Sequence, residues 1–382
     1  MEYTGKLKLS ENDLIRIAKR LNNNRRTYLL VNPLQAKHIP VSPSKALQMM
    51  TRLGELVSSK YNDSRLVVGF AETATAIGAV VAKELSDDCM FLHTTREIVE
   101  NANGYIQFFE EHSHAIEQKI VADNLDYYFS QTNTIVFVDD EFTTGKTLIN
   151  MINCLKEHYP SIAGKRIVAA SIINRLSTDN LTRWSKEGIE TVCLLQLDNN
   201  DYSSTVKSIK AKEIAECMNE IDNPSMFDSV FNHRLLDPRL GVKISDYYSS
   251  CVEIIGIIEE NCRFHGKDVL VLGTEECMLP ALLIGRSIEE DNEVNSINCH
   301  ATTRSPIGIC DSSYYPIRSG FRLRSFYDSQ RETYIYNLKA YDIVIIVSDA
   351  NDTFYRGLLD LREVLVSLGC HQILCIAGNN DD

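Results

Sequence analysis

Val138-Asp139-Asp140-Glu141-Phe142-Thr143-Thr144-Gly145-Lys146-Thr147 is the stretch on which the reading of this chain turns. Four apolar residues, Ile135 to Val138, run into two adjacent carboxylates. A loop of small hydroxylated residues follows, and an amphipathic pattern begins at Lys146. An apolar run ending in acidic residues reads as a buried parallel strand, and ligands of open parallel sheets bind beyond the carboxyl ends of their strands. Two carboxylates there can accept hydrogen bonds from the vicinal hydroxyls of a ribose. The loop behind them offers backbone N–H groups at a helix N-terminus, which suits a phosphate. Gly145 permits the tight turn, and Thr143, Thr144 and Thr147 add hydroxyl donors. A ribose carrying a 5′-phosphate matches the whole set. A strand ending in a helix-capping aspartate would explain one acidic residue but not the ordered run. The G-x-G-x-x-G pattern of dinucleotide sites is absent, and so is the additional upstream glycine of a P-loop.

Working outward, short β-branched runs alternate with longer amphipathic ones. Strands are expected at Arg26 to Val31, Leu66 to Phe70, Met90 to His93, Thr134 to Val138, Arg166 to Ile173 and Thr191 to Leu197, with helices at Ser44 to Lys60, Thr75 to Leu85 and Lys146 to His158. That alternation predicts an α/β fold with a doubly wound parallel sheet. The polar segment Arg96 to Gln131 breaks the rhythm and reads as a lid or binding loop. A second polar stretch, Asp198 to His233, reads as a linker with a helix over Val206 to Met218. The alternation then resumes, with strands at Val269 to Leu272, Ser296 to His300, Ile343 to Val347 and Ile373 to Ile376 and helices at Leu279 to Ile288 and Arg356 to Leu368. The expected domains are 1–200, a linker 201–235, and 236–382.

Composition narrows the function. A net charge of −13 disfavours nucleic acid and points to small-molecule ligands. No apolar run approaches the roughly 18 residues that span a bilayer, and Met1 to Ser10 has no signal-peptide pattern, so a cytoplasmic protein is expected. The 11 cysteines include no C-x-x-C pair and several sit in apolar runs, which favours reduced, buried thiols.

The acidic pair and its loop resemble the phosphoribosyl pyrophosphate signature of type I phosphoribosyltransferases. The resemblance implies that Asp139 and Asp140 hold the ribose hydroxyls and Mg²⁺, and that Thr143, Thr144, Gly145, Lys146 and Thr147 hold the 5′-phosphate. Some purine-salvage members carry an Asp at the position of Thr143, so purine salvage is not what this loop suggests. It implies a pyrophosphate loop after the preceding strand, here Ala71, Glu72, Thr73, Ala74 and Thr75. A carboxylate at Glu72 would repel that anion unless it acts through Mg²⁺ or a ligand amine; its alternative role is a helix N-terminal acid. Arg96 could reach a phosphate from the end of the next strand, His112 and His114 are candidates for a lid over the reacting atoms, and Arg175 for the acceptor pocket. The implied activity is a transferase using phosphoribosyl pyrophosphate as co-substrate and a nitrogenous small-molecule acceptor.

Ala301-Thr302-Thr303-Arg304-Ser305-Pro306, with Ser319 to Arg324 and Arg331 to Asn337, is similar to the TRSP domain, which occurs C-terminal to a phosphoribosyltransferase domain in bacterial stress operons linked to tellurite resistance. Leu30 to Pro33, Lys37 to Pro40 and Glu111 to Ala115 share that resemblance. It implies synthesis of a nucleoside-like metabolite, a functional link to stress-operon proteins, and allows a homodimer. The halves also resemble each other: Leu66 to Gly69 with Glu72 parallels Leu270 to Gly273 with Glu276, Thr94-Thr95-Arg96 parallels Thr302-Thr303-Arg304, and Ile135-Val136 with Asp140 parallels Ile343-Val344 with Asp349, allowing one inserted residue. A degenerate copy is thereby expected, with Asp352-Thr353-Phe354-Tyr355 in place of the phosphate loop. Glu276, Arg304, Arg322 and Arg324 are candidates for a second ligand, against the alternative of surface ion pairs. Competing functions are phosphoribosyl pyrophosphate synthesis, whose pentose site would belong in the C-terminal copy, and a non-catalytic ligand sensor.

Overall fold

The computed structural model describes residues 9–23, 26–108, 118–216, 229–232, 235–291, 293–350 and 354–377. In chain order its strands are β1 (Arg16–Lys19), β2 (Tyr28–Val31), β3 (Leu66–Gly69), β4 (Met90–His93), β5 (Tyr105–Phe108), β6 (Gln118–Val121), β7 (Thr134–Phe142), β8 (Arg166–Asn174) and β9 (Ile189–Gln196). They continue with β10 (Ala215–Glu216), β11 (Ser229–Asn232), β12 (Val242–Lys243), β13 (Asp268–Gly273), β14 (Ser296–Ala301), β15 (Gly320–Arg324), β16 (Glu332–Tyr336), β17 (Ile343–Ser348) and β18 (Gln372–Ala377). The chain divides into two compact units. One comprises Gln48–Asn200 and Leu236–Ser250, and is called the first unit below; the second comprises Met1–Leu47, Asp201–Leu235 and Cys251–Asp382.

The first unit is built on a six-stranded sheet of order β12-β4-β3-β7-β8-β9, parallel except for β12 at its edge. β3 is buried along its whole length, as a strand covered by helices on both faces must be. Helices Thr75–Leu85 and Lys146–His158 supply crossovers, and Leu148, Met151, Ile152 and Leu155 of the latter join Phe137, Ile167 and Trp184 in one core. The chain order reverses between β3 and β7, so the loops leaving these two neighbours diverge and open a crevice at their carboxyl ends.

The segment expected as an irregular lid contains an antiparallel hairpin, β5–β6, and a helix, Leu125–Ser130. The β5 positions Ile106 and Phe108 alternate inward onto the core, so its two-residue period outweighs the polar composition of the segment. His112 and His114 lie outside the described residues.

The second unit contains a fully parallel five-stranded sheet of order β11-β18-β17-β13-β14. Its core gathers Leu270, Leu272, Val344, Ile346, Leu361 and Leu365. Within the segment read as a linker, β10 pairs with β15 and β11 with β18. The helix expected over Val206 to Met218 does not form: a helix spans only Ser203–Lys207, and Met218 lies outside the described residues. Tertiary pairing overrides helical pattern here, because the Lys212 backbone bridges to Ile309 and Lys19 Nζ donates to the Ile209 carbonyl at 2.8 Å.

The paired landmarks of the halves coincide in topology. Gly69 is in register with His93 and Val138, and Gly273 with Ala301 and Val347. The register makes Val138 equivalent to Val347 and Asp140 to Asp349 with no inserted residue, which corrects the one-residue gap expected from sequence. Hydrogen bonds repeat as well. Phe70 N donates to Val138 O at 2.9 Å and Thr274 N to Val347 O at 3.2 Å; Thr94 N donates to Gly69 O at 2.9 Å and Thr302 N to Gly273 O at 3.1 Å. Antiparallel pairs β5–β6 and β15–β16 occupy the same place in the order of elements, bridged to Thr95 and Thr303 respectively.

Candidate active site

The crevice of the first unit is lined by two loops that the sequence singled out. β7 runs on through Asp139, Asp140 and Glu141 to Phe142, which delivers the acidic pair at the carboxyl end of the sheet, partly exposed. The turn that follows reaches Gly145 at φ 71°, in the left-handed region that favours glycine, and the Lys146–His158 helix starts there. A Cβ on Gly145 would stand 2.2 Å from Trp184 Cζ2, so the buried indole also requires glycine. Phe142 meets the same indole edge-on, with centroids 5.3 Å apart. Thr144 and Lys146 are exposed, while Thr143 and Thr147 are half-buried.

The loop after β3 comes alongside. Thr73 Oγ1 donates to Asp140 Oδ1 at 2.9 Å, which joins the two loops directly. Ala71 N donates to Thr94 Oγ1 at 2.9 Å, and Gln118 Nε2 donates to Ala71 O at 2.8 Å, so β4 and the hairpin brace the loop from behind. The Ala71–Glu72 peptide is cis. Ala74 and Thr75 are buried, Glu72 and Thr73 half-buried. Arg96 is exposed, one residue past Thr95.

Electrostatics set the acidic pair apart. Burial pushes the Asp139 carboxyl well above the usual carboxylate range, and the neighbouring Asp140 carboxylate adds to the shift. The Asp140 amide donates to Asp139 Oδ1 at 2.9 Å and opposes it. Such a site favours a partner that brings positive charge or hydroxyl donors to the carboxylates. Among the described residues no group of three or more His, Cys, Asp or Glu is placed to hold a metal ion by itself.

Arg175, expected as a candidate for the acceptor pocket, is held inside the first unit. Its side chain is fully buried, and its guanidinium bonds Glu141 Oε1 at 2.8 Å and the Asn200 carbonyl. It braces the strand that carries the acidic pair. Sequence reasoning passed over Glu141, Thr94, Gln118 and Trp184. Glu141 stood inside the quoted run, and a third acid directly after the pair, still within the strand, was the available signal.

In the second unit the candidate arginines are engaged by carboxylates. Arg304 bonds Glu275 at 2.8 Å and Glu276 at 3.1 Å, Arg322 bonds Glu332 at 2.9 Å and pairs with Glu216, and Arg324 Nε bonds Asp360 at 2.9 Å. Fully buried Lys37 donates to the carbonyls of Glu275 and Thr302, the latter at 2.9 Å.

A doubly wound parallel sheet whose switch point carries an acidic pair and a Thr-Thr-Gly-Lys-Thr loop defines a type I phosphoribosyltransferase-like unit followed by a further α/β domain. The comparisons bear on the same residues: the phosphoribosyl transferase family model matches 14–197, and that of the TRSP domain found C-terminal to it matches 239–361. The chain belongs to this family of phosphoribosyl transferases with a C-terminal TRSP domain. No curated protein matches it. Among solved structures it is similar to adenine phosphoribosyltransferase from Rhodothermus marinus (15% identity, 49% of this chain and 96% of that one, TM-score 0.36). It is also similar to orotate phosphoribosyltransferase from Aeropyrum pernix (18% identity, 48% and 87%, TM-score 0.31). Among the described residues no helix is long and apolar enough to cross a membrane.

Proposed function

We propose that the first unit binds phosphoribosyl pyrophosphate with Mg²⁺ and transfers its phosphoribosyl group to a nitrogenous small-molecule acceptor. The observation that carries this reading is the meeting of the two loops at the switch point, tied by Thr73 and Asp140. In it, Asp139 and Asp140 accept hydrogen bonds from the ribose hydroxyls, and the Thr143–Thr147 turn wraps the 5′-phosphate with backbone amides and hydroxyls. The loop of Ala71 to Thr75 carries the pyrophosphate on its backbone. Two adjacent carboxylates suit Mg²⁺, which keeps few protein ligands and takes the rest from substrate phosphates. When bound, the cation offsets the charge of the departing pyrophosphate.

Transfer at C1 of the ribose passes through an oxocarbenium-like arrangement, so no side-chain nucleophile is needed. The residues act by fixing the ribose between two anchored ends and by excluding water while the acceptor nitrogen attacks. Arg96, at the end of β4, is assigned to the phosphates and the hairpin to closure over the site. A role in a stress-linked pathway that makes a nucleoside-like metabolite accords with the TRSP domain. Mass spectrometry tests the proposal: the protein, phosphoribosyl pyrophosphate, Mg²⁺ and a small-molecule extract should yield pyrophosphate and an ion 212 Da above an acceptor, about the mass of a phosphoribosyl group replacing a hydrogen. Pyrophosphate release without any such ion contradicts transfer to an acceptor.

A further inference from the structure

The second unit repeats the loop architecture of the first, with one change at its centre. Glu275 N donates to Thr302 Oγ1 at 3.0 Å, as Ala71 N does to Thr94 Oγ1. Glu275 is therefore the counterpart of Ala71, and Arg304 that of Arg96. Where the first unit has a methyl group, the second places a carboxylate that is fully buried. That carboxylate is surrounded by donors from three other segments. Arg304 Nε reaches Oε2 at 2.8 Å, Arg331 reaches the same oxygen at 2.9 Å, and Ser325 Oγ donates to Oε1. Arg331 also donates to Ser325 Oγ at 2.7 Å, fixing the two donors against each other. Lys37 adds a third cation at the Glu275 carbonyl. Glu275 holds φ 44°, in the left-handed region where glutamate is uncommon, so its surroundings over-determine its place.

Two guanidinium groups and a hydroxyl converging on one carboxylate, with an ammonium at the same residue's carbonyl, are the elements of an oxyanion site. The contrast between the copies points the same way. Arg96 is exposed, whereas its counterpart Arg304 is folded down onto Glu275 and Glu276 and 8% exposed. Of the charges named here, two guanidinium groups meet the carboxylates of Glu275 and Glu276 and the Lys37 ammonium sits at the Glu275 carbonyl, so removing the Glu275 carboxylate leaves three cations around one carboxylate, in a recess the size of its side chain.

We propose that Glu275 is a built-in occupant of an oxyanion site in the second unit, and that it keeps this copy of the fold closed to external anions. The inference concerns the second unit and does not depend on the substrate proposed for the first. The test is thermal unfolding of full-length wild type and Glu275→Ala against inorganic pyrophosphate, with NaCl at matched ionic strength. Any binding at the first unit is common to both proteins and cancels in the difference. Glu275→Ala should melt lower than wild type without ligand and gain a saturable rise in Tm with pyrophosphate beyond the wild-type rise, a second site reaching half-saturation at a concentration at least about tenfold below any comparable effect in wild type. Arg304→Ala in the Glu275→Ala background should abolish the excess. If Glu275→Ala does not fold in NaCl, refolding it in pyrophosphate should restore native circular dichroism. Equal responses of wild type and Glu275→Ala, or no recovery on refolding with pyrophosphate, overturns the proposal.

Discussion

Arg175→Met should damage the first unit more than its distance from solvent suggests, and a second substitution should repair it. The Arg175 and Glu141 side chains are 0% and 9% exposed, and their bond is 2.8 Å. Removing the guanidinium leaves a carboxylate with little access to water beside the acidic pair, and breaking a buried ion pair in this way costs about 3–5 kcal/mol. The Asn200 carbonyl loses its bond to Arg175 as well. Glu141→Leu in the same background removes the stranded charge while keeping apolar volume, so the double variant should lie within about 2 kcal/mol of wild type. Since stranding either partner costs about 3–5 kcal/mol, the coupling between the two substitutions is then on the order of 4 kcal/mol or more. Trp184, the chain's one tryptophan, is buried against Phe142, so its emission during urea unfolding reports on this unit. A loss of under about 1 kcal/mol in Arg175→Met, or a double variant as unstable as the sum of the singles, would refute the reasoning.

Gly145→Ala should lose about 2–4 kcal/mol, combining the left-handed φ of 71° with a Cβ 2.2 Å from Trp184, and the same urea titration checks it; an unchanged midpoint contradicts the geometry. Asp139→Asn should raise ligand-free stability at pH 7. The raised folded pKa of this acid means that its ionised form opposes folding above that value, and that the penalty fades as pH falls through it toward the ordinary aspartate value of about 4, so the gain should shrink on acidification. A stability loss at pH 7 would contradict this. Amide exchange in Tyr105–Phe108 and Gln118–Val121 should slow when phosphoribosyl pyrophosphate and Mg²⁺ bind, and unchanged exchange with binding verified would remove the hairpin from any closing role.

Much of the fold was legible because its strands and helices are locally consistent. The helices Thr75–Leu85 and Lys146–His158 and the strand Met90–His93 match their expected bounds, since apolar periodicity, glycine and acidic stops coincide there. The hairpin was hidden by polar residues on its outer face, and a helix was wrongly expected across Val206 to Met218 because long-range pairing overrode the local pattern. The loops of the site were legible because phosphate and ribose demand particular small and acidic residues in order. The partner of Arg175 was not, because Glu141 and Arg175 are separated by 34 positions and meet only through the pairing of β7 with β8. The candidate arginines of the second unit were visible as a cluster, but only the folded chain reveals that Glu275, Glu332 and Asp360 engage them.

Calorimetric titration of phosphoribosyl pyrophosphate in Mg²⁺ into wild type and Asp139→Asn/Asp140→Asn tests the central claim most directly. Losing the charge-assisted hydrogen bonds of two carboxylates should weaken binding by at least about 3 kcal/mol, a factor on the order of 10² or more. Wild type should bind one equivalent through the first unit, and the double variant should show no measurable heat at the same concentrations. Equal affinity in the two proteins, with both folded by Trp184 emission, would contradict the account.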